Sequence, residues 1–489
     1  MSRRVLLGGA GLALAAFCLM APAAHAQGAS DALKRAADAI GAGELRTLRY
    51  SGEGIGYTLG QAFKPGMAWP KITIHSQTRT INYETRSMRE EIVLSRGEPL
   101  GGGGYPLMGQ QRNDQFVSGD FAWNVVGPNP VAGPRFVADR THQLWLTPHG
   151  AIKAAQRNNA KVAWRKKGSA SLAVLSFAEP GRFVAKVFLD DKFRVERIES
   201  RAPDAVLGEV ATVTTYSDYR DVGAVKFPMR IKQSAGGFPV LDVTVKEVQP
   251  NAAADIAVPD AVRSAGERVA IEKVADGVWF VGGGSHNSVA IEMKDHLVLV
   301  EAPLNDGRSL PVIEQVRQLV PGKPIRYVIN SHQHFDHSGG LRTAAAEGIT
   351  IVAQADVAKY MRTTLATKNT ISPDRLAQSG KKPSFVSVSK KRTMTDGART
   401  IEILDIRRSV HSGTFLMVYL PKEKLLIEAD AYTPLPPNTP APTPANANNL
   451  NLIANIEGQK LAVDRILPLH GRVVPVAELY TTASTTPKK

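Results

Sequence analysis

The sequence predicts two folded parts of different class, a mainly antiparallel β domain followed by a layered α/β domain. Three observations carry this. From Leu45 to about Val248, short segments alternate apolar and polar residues and are separated by Gly, Pro, Asp and Asn, the period of strands with one wet face. A small-residue stretch, Gln249 to Asp255 and then Pro259, interrupts the pattern. Past Arg268, apolar strand-like runs are followed by helical spacing, the order of a layered α/β domain. With 489 residues, 43% hydrophobic and 21% charged, the chain has ordinary globular composition, which excludes a disordered or fibrous protein.

The elements follow in order. Ser2-Arg3-Arg4, the apolar run Val5 to Met20 and Ala24-His25-Ala26 read as a cleavable export signal over residues 1–26, with an arginine pair of the twin-arginine kind. The expected location is periplasmic or secreted. The single cysteine, Cys18, falls inside the signal, so the mature chain has no disulfide and no thiolate to offer a metal. Residues 27–250 form the mainly-β accessory domain, with strands at Lys71–His75, Ser171–Phe177, Arg194–Ser200 and Asp242–Val248 and a short helix around His149 to Asn158. Its pattern loosely resembles the half-open sheets of periplasmic lipoprotein carriers. Residues 251–264 are the linker. The second domain spans 265–478, with strands at Val278–Val281, Val289–Met293 and Leu297–Val300, a helix over Pro311–Val320 and a buried strand Tyr327–Asn330. Residues 479–489 are expected to be a flexible tail.

The net charge of +15 invites a nucleic-acid reading. The excess is spread almost evenly over both halves, and the basic runs Lys161–Lys167 and Lys381–Arg392 carry little aromatic interleaving, so nucleic acid is excluded as a partner. No later stretch approaches the ~20 apolar residues of a membrane span. The remaining partner is a small-molecule substrate, and the oligomeric state stays open.

Strand Tyr327–Asn330 runs into Ser331-His332-Gln333-His334-Phe335-Asp336-His337-Ser338-Gly339-Gly340, three imidazoles and a carboxylate within six positions. Imidazole and carboxylate suit zinc when thiolate is absent. The i, i+2 spacing of His332 and His334 in an extended segment sends both side chains one way, and Asp336 and His337, past the turn, can serve a second metal. This H-x-H-x-D-H run is the signature of the metallo-β-lactamase superfamily, and residues 268–475 resemble that family further. His411 precedes the strand Phe415–Leu420, Glu428-Ala429-Asp430 ends the strand from Leu425, and Leu469-His470-Gly471 matches the closing motif. The resemblance implies an αββα sandwich and two zinc ions, one on His332, His334 and His411, the other on Asp336, His337 and His470. Asp430 would bridge them, with Glu428 as rival. It also implies chemistry without a protein nucleophile: a water bridging two divalent ions ionises near neutral pH, and Asp336 orients it and carries a proton. Tyr432 is a candidate donor to the developing oxyanion. Two departures stand out. Glu301 occupies a strand end where many members carry Asp, and the cysteine ligand of one β-lactamase branch is missing.

The reading is therefore an exported, dinuclear zinc hydrolase for an ester, lactone or thioester. β-Lactam, phosphodiester and sulfate-ester hydrolysis are the alternatives within the class, and iron or manganese the alternatives to zinc. A different class, a non-catalytic periplasmic binding protein for an apolar ligand, should have lost ligands, whereas all seven positions are filled. Loops 359–391 and 433–449 are expected to shape the pocket. Because all seven positions lie beyond the linker, a fragment starting near Ala265 is expected to bind metal by itself.

Overall fold

In a computed structural model, residues 21–99, 103, 107 and 109–486 are described. The N-terminal part is one antiparallel sheet of 13 strands. Its first strand, Thr47–Tyr57, pairs with its last, Phe238–Pro250, in the middle of the sheet. From that seam the earlier strands step outward in sequence order to Asn129–Ala132, and the later ones step outward to Lys161–Lys167. The alternation in the sequence pays off here. Leu48, Ile81, Leu175, Val187 and Phe227 turn to one face and are buried against the helices Ala21–Ile40, Val137–Trp145 and Pro148–Arg157. Thr147 caps the last of these, its hydroxyl accepting from the Gly150 amide at 3.0 Å.

The C-terminal part is an αββα sandwich. Its seven-stranded sheet starts antiparallel, from Ala270–Ala275 through Leu297–Val300, and continues parallel through Ile325–Ile329 and Thr350–Gln354 to Phe385–Val388. The six-stranded sheet runs from Lys391–Thr395 to Val474–Pro475. Val289, Ile291, Val298 and Val300 of the first sheet meet Ile401, Ile403, Met417 and Ile427 of the second. Helices Asp306–Leu319, Leu341–Ala346 and Ala355–Thr364 cover the other face of the seven-stranded sheet. Ala447–Gly458 and Val476–Thr482 cover the six-stranded one. All four residues of Leu297–Val300 are buried, as an interior strand with both faces covered requires.

Some expectations need correction. The first C-terminal helix starts at Asp306, ahead of Pro311, because the Asn305 side chain caps it at the Arg308 amide (3.3 Å). The tail is packed rather than flexible at its start: Leu479, Tyr480 and Ala483 are buried in the sandwich core. Their helical spacing supplies an apolar face that the sheet covers. The linker residues include the short helix Asp260–Arg263, and Asn251 is tied back to the Arg46 amide at 2.8 Å. The apolar run Val5 to Met20, expected to belong to an export signal, lies with Cys18 outside the described residues. No described helix is long and apolar enough to cross a membrane.

Candidate metal centre

Each presumed ligand sits where a strand ends or is about to begin. Strand Ile325–Ile329 delivers the segment from Asn330 to His337, and His334 is the residue before the short helix Phe335–Ser338. Gly339 and Gly340 are glycines for packing reasons, since a Cβ at either would strike the Leu304 carbonyl or the Ser309 hydroxyl. His411 precedes Leu416–Leu420, Asp430 follows Leu425–Glu428, and His470 follows Arg465–Pro468.

Tertiary folding brings these residues into two adjoining groups. His332, His334, His411 and Asp430 offer ligand atoms within 4.8 Å of one another, and so do His286, Asp336, His337 and His470. Asp430 stands between the groups. Its Oδ2 lies 3.2 Å from His332 Nε2, 3.0 Å from His411 Nε2 and 3.0 Å from His337 Nε2, while Oδ1 lies 3.0 Å from His470 Nε2. Ring nitrogens also face each other, His411 to His332 at 3.1 Å and His470 to His337 at 3.2 Å.

The donor set fits a divalent cation. His470 Nδ1 donates to the Ser285 carbonyl at 3.0 Å, which leaves its Nε2 as a bare lone pair facing the group. His334 Nδ1 is buried without a hydrogen-bond partner. Burial drives the pKa of His332 and of His286 down to about 3 and that of His334 well below its ordinary value, so these rings are neutral, the ligating form, at neutral pH. Burial opposes ionisation of Asp430, but His337 and His411 beside it hold its carboxyl well below the usual range. Burial likewise opposes charge on His337, and the Asp430 and Asp336 carboxylates overcome it, holding that ring well above its ordinary pKa. A cation entering the second group thus displaces a proton.

Residues 281–448 match the family model described as Metallo-beta-lactamase superfamily. The C-terminal sandwich is a domain of that superfamily. No curated protein matches the chain. Solved structures similar to it include the DIM-1 metallo-β-lactamase exposed to ceftazidime, at 18% identity over 45% of this chain and 97% of that one, with a TM-score of 0.34. A metallo-β-lactamase from Pontibacter korlensis aligns at 17% identity over 44% and 98%, TM-score 0.35. The FIM-1 enzyme from Pseudomonas aeruginosa in its mono-zinc form aligns at 20% over 45% and 95%, TM-score 0.34.

Within the metallo-β-lactamase domain, seven residues singled out from the sequence come together and an eighth joins them. His286 was missed. It is 5% exposed, its Nε2 is 3.1 Å from Asp336 Oδ2 and its Nδ1 is bonded to the Ser285 hydroxyl at 2.9 Å. The available signal was a lone histidine after the glycine run that ends strand Val278–Gly282. Glu428 is turned away and accepts the Ala431 and Tyr432 amides, each at 3.0 Å; burial raises its pKa well above the ordinary value. Glu301 lies behind the site, accepting the Ser331 amide at 2.6 Å with its other oxygen 3.6 Å from His337 Nδ1. The oxyanion role for Tyr432 is corrected. The chain turns after Asp430 and buries the ring in the sandwich core, where the hydroxyl faces Thr482 at 3.3 Å and Glu478 at 3.4 Å.

The groups open onto a cleft of about 540 Å³. The metallo-β-lactamase domain supplies His286, Leu304, Phe335, Asp336, Asp430 and His470 to it. The opposite wall comes from the N-terminal part: Leu59, Gln61, Arg135, Phe136, Asp139 and Asp204 among others. Of the two loops expected to shape the pocket, only Thr433 lines it.

Proposed function

We propose that this protein is an exported hydrolase that holds two zinc ions and opens an ester, lactone or thioester. His332, His334 and His411 hold one ion, His286, Asp336, His337 and His470 the other, and Asp430 lies between them. The observation that carries this reading is the Asp430 carboxylate with four imidazole nitrogens around it, three on one oxygen and one on the other, at 3.0 to 3.2 Å. Two divalent ions bound there supply Lewis acidity and a water that ionises near neutral pH. The chain's own residues do the rest. Asp336, at the cleft floor, orients the attacking water and returns a proton to the leaving group. Leu59, Phe136 and Phe335 along the cleft hold the apolar body of the substrate away from water. The N-terminal wall adds binding energy remote from the reacting bond, which larger substrates can use. The arginine pair and apolar run before Ala24 support export.

The test is metal analysis of the purified protein with a panel of ester, lactone, thioester, phosphodiester, sulfate-ester and β-lactam substrates. Close to two zinc ions per chain and chelator-sensitive cleavage of a carboxylic ester, lactone or thioester are expected. One ion or none after zinc loading overturns the dinuclear reading, and turnover of phosphodiesters alone overturns the substrate class.

A further inference from the structure

We propose that the N-terminal sheet completes the metal centre, through the loop 58–64, in which Gln61 is a positioning residue for Asp336. The inference rests on the metal reading above and goes beyond it, because it assigns part of the centre to the domain that supplies no ligand.

The loop leaves strand Thr47–Tyr57 and crosses the segment carrying the ligands. The Gly60 carbonyl accepts the Phe335 amide at 3.2 Å. Gln61, 3% exposed, donates its side-chain amide to Asp336 Oδ1 at 2.8 Å. The Ala62 carbonyl accepts from Gln333 Nε2 at 2.6 Å and from His334 Nε2 at 3.1 Å. The Phe63 carbonyl accepts the Gly413 amide, two residues beyond His411, at 2.8 Å. The approach demands glycine at position 60, where φ is +82° and a Cβ would lie 2.5 Å from the Phe335 ring.

These contacts act on one ligand of each group. A carboxylate with a spare oxygen can rotate and present either one. Gln61 holds Oδ1 of Asp336, which leaves Oδ2, 3.1 Å from His286 Nε2, as the oxygen facing its group. On His334, a carbonyl can be met only by N–H, so Ala62 fixes the proton on Nε2 and leaves Nδ1 as a lone pair. The fragment expected to bind metal from about Ala265 onward would lack both constraints.

The test uses the full chain with Gln61→Met, which keeps length and removes the donor, and Gln61→Glu, which sets a carboxylate against a carboxylate. Zinc affinity is read by competition with a chromophoric chelator, and ligand geometry from the visible spectrum of the cobalt-loaded protein. Gln61→Met is expected to weaken one of two ions by roughly 10- to 100-fold and to shift the cobalt spectrum. The other ion stays at wild-type affinity, since the Ala62 contact is made by backbone. Gln61→Glu is expected to weaken the same ion further. Two ions held by Gln61→Met at wild-type affinity, with an unchanged spectrum, would reduce Gln61 to packing and overturn the proposal alone. If Gln61→Met does not fold, Gln61→Glu decides on the same readouts. A wild-type chain that binds no metal would overturn this proposal together with the metal reading.

Discussion

Buried histidines occur in both halves of the molecule, and their company differs. In the N-terminal part, His142 pairs with the Ser200 hydroxyl at 2.9 Å. His149 donates to the Ile40 carbonyl at 2.9 Å and stacks on Phe227. Burial lowers the pKa of each to about 4. In the C-terminal part, burial neutralises His332 and His286 in the same way, but the Nε2 of His332 faces His411 and Asp430 and that of His286 faces Asp336. Burial and neutrality are thus common to the histidines of both halves. What separates them is whether a ring nitrogen faces further donor atoms, as His332 Nε2 faces Asp430 and His411, or meets only a hydroxyl or carbonyl, as in His142 and His149.

Substitutions can break that comparison. The largest effect is expected at Asp430, the carboxylate between the groups: Asp430→Ala should lose both metal ions and turnover to background, measured by metal content and hydrolysis. Asp336→Ala should abolish turnover yet keep the ion on His332, His334 and His411; near-normal turnover would remove Asp336 from its role. By contrast, His142→Ala should leave metal content unchanged while costing roughly 1–3 kcal/mol of stability in urea unfolding.

A pH titration sharpens the same contrast. His142 and His149 have folded pKa values of about 4, against about 6.5 in the unfolded chain. As pH falls through 6.5 the unfolded state takes up protons first, so stability drops, and the loss is complete below pH 4. At the bottom of that window the loss is about 3 kcal/mol for each histidine. The difference in stability between wild type and His142→Gln/His149→Gln, measured on metal-free protein, should shrink over this range. A pH-independent difference would contradict it. The smallest effect is expected for Tyr432→Phe, whose hydroxyl makes only contacts of 3.3 and 3.4 Å in the core. Turnover should stay within about twofold and stability within about 1 kcal/mol; a large fall in kcat would restore the oxyanion role.

Much of the candidate site was legible before folding, for a local reason. His332, His334, Asp336 and His337 are crowded into one strand-to-helix turn, and His411, Asp430 and His470 each flank a recognisable apolar strand. Tyr432 misled because proximity in sequence to Asp430 does not survive the turn between them. His286 was silent because a single histidine after a glycine run carries no pattern of its own. Leu479, Tyr480 and Ala483 were passed over at the chain's end, where only the sheet beneath them shows what their spacing covers.

By itself the sequence determined the class of each half, from the periods of its apolar residues, and the candidate donor set, from imidazoles and carboxylates clustered along the chain. Only the tertiary structure decided what meets those donors and what walls the cleft. Gln61 reaches Asp336 across 275 positions and Ala62 reaches His334 across 272. Such contacts exist because Thr47–Tyr57 pairs with Phe238–Pro250 in the middle of its sheet and the loop beyond that strand meets the ligand segment. Periodicity fixes which face of an element is buried, but not which distant element buries it.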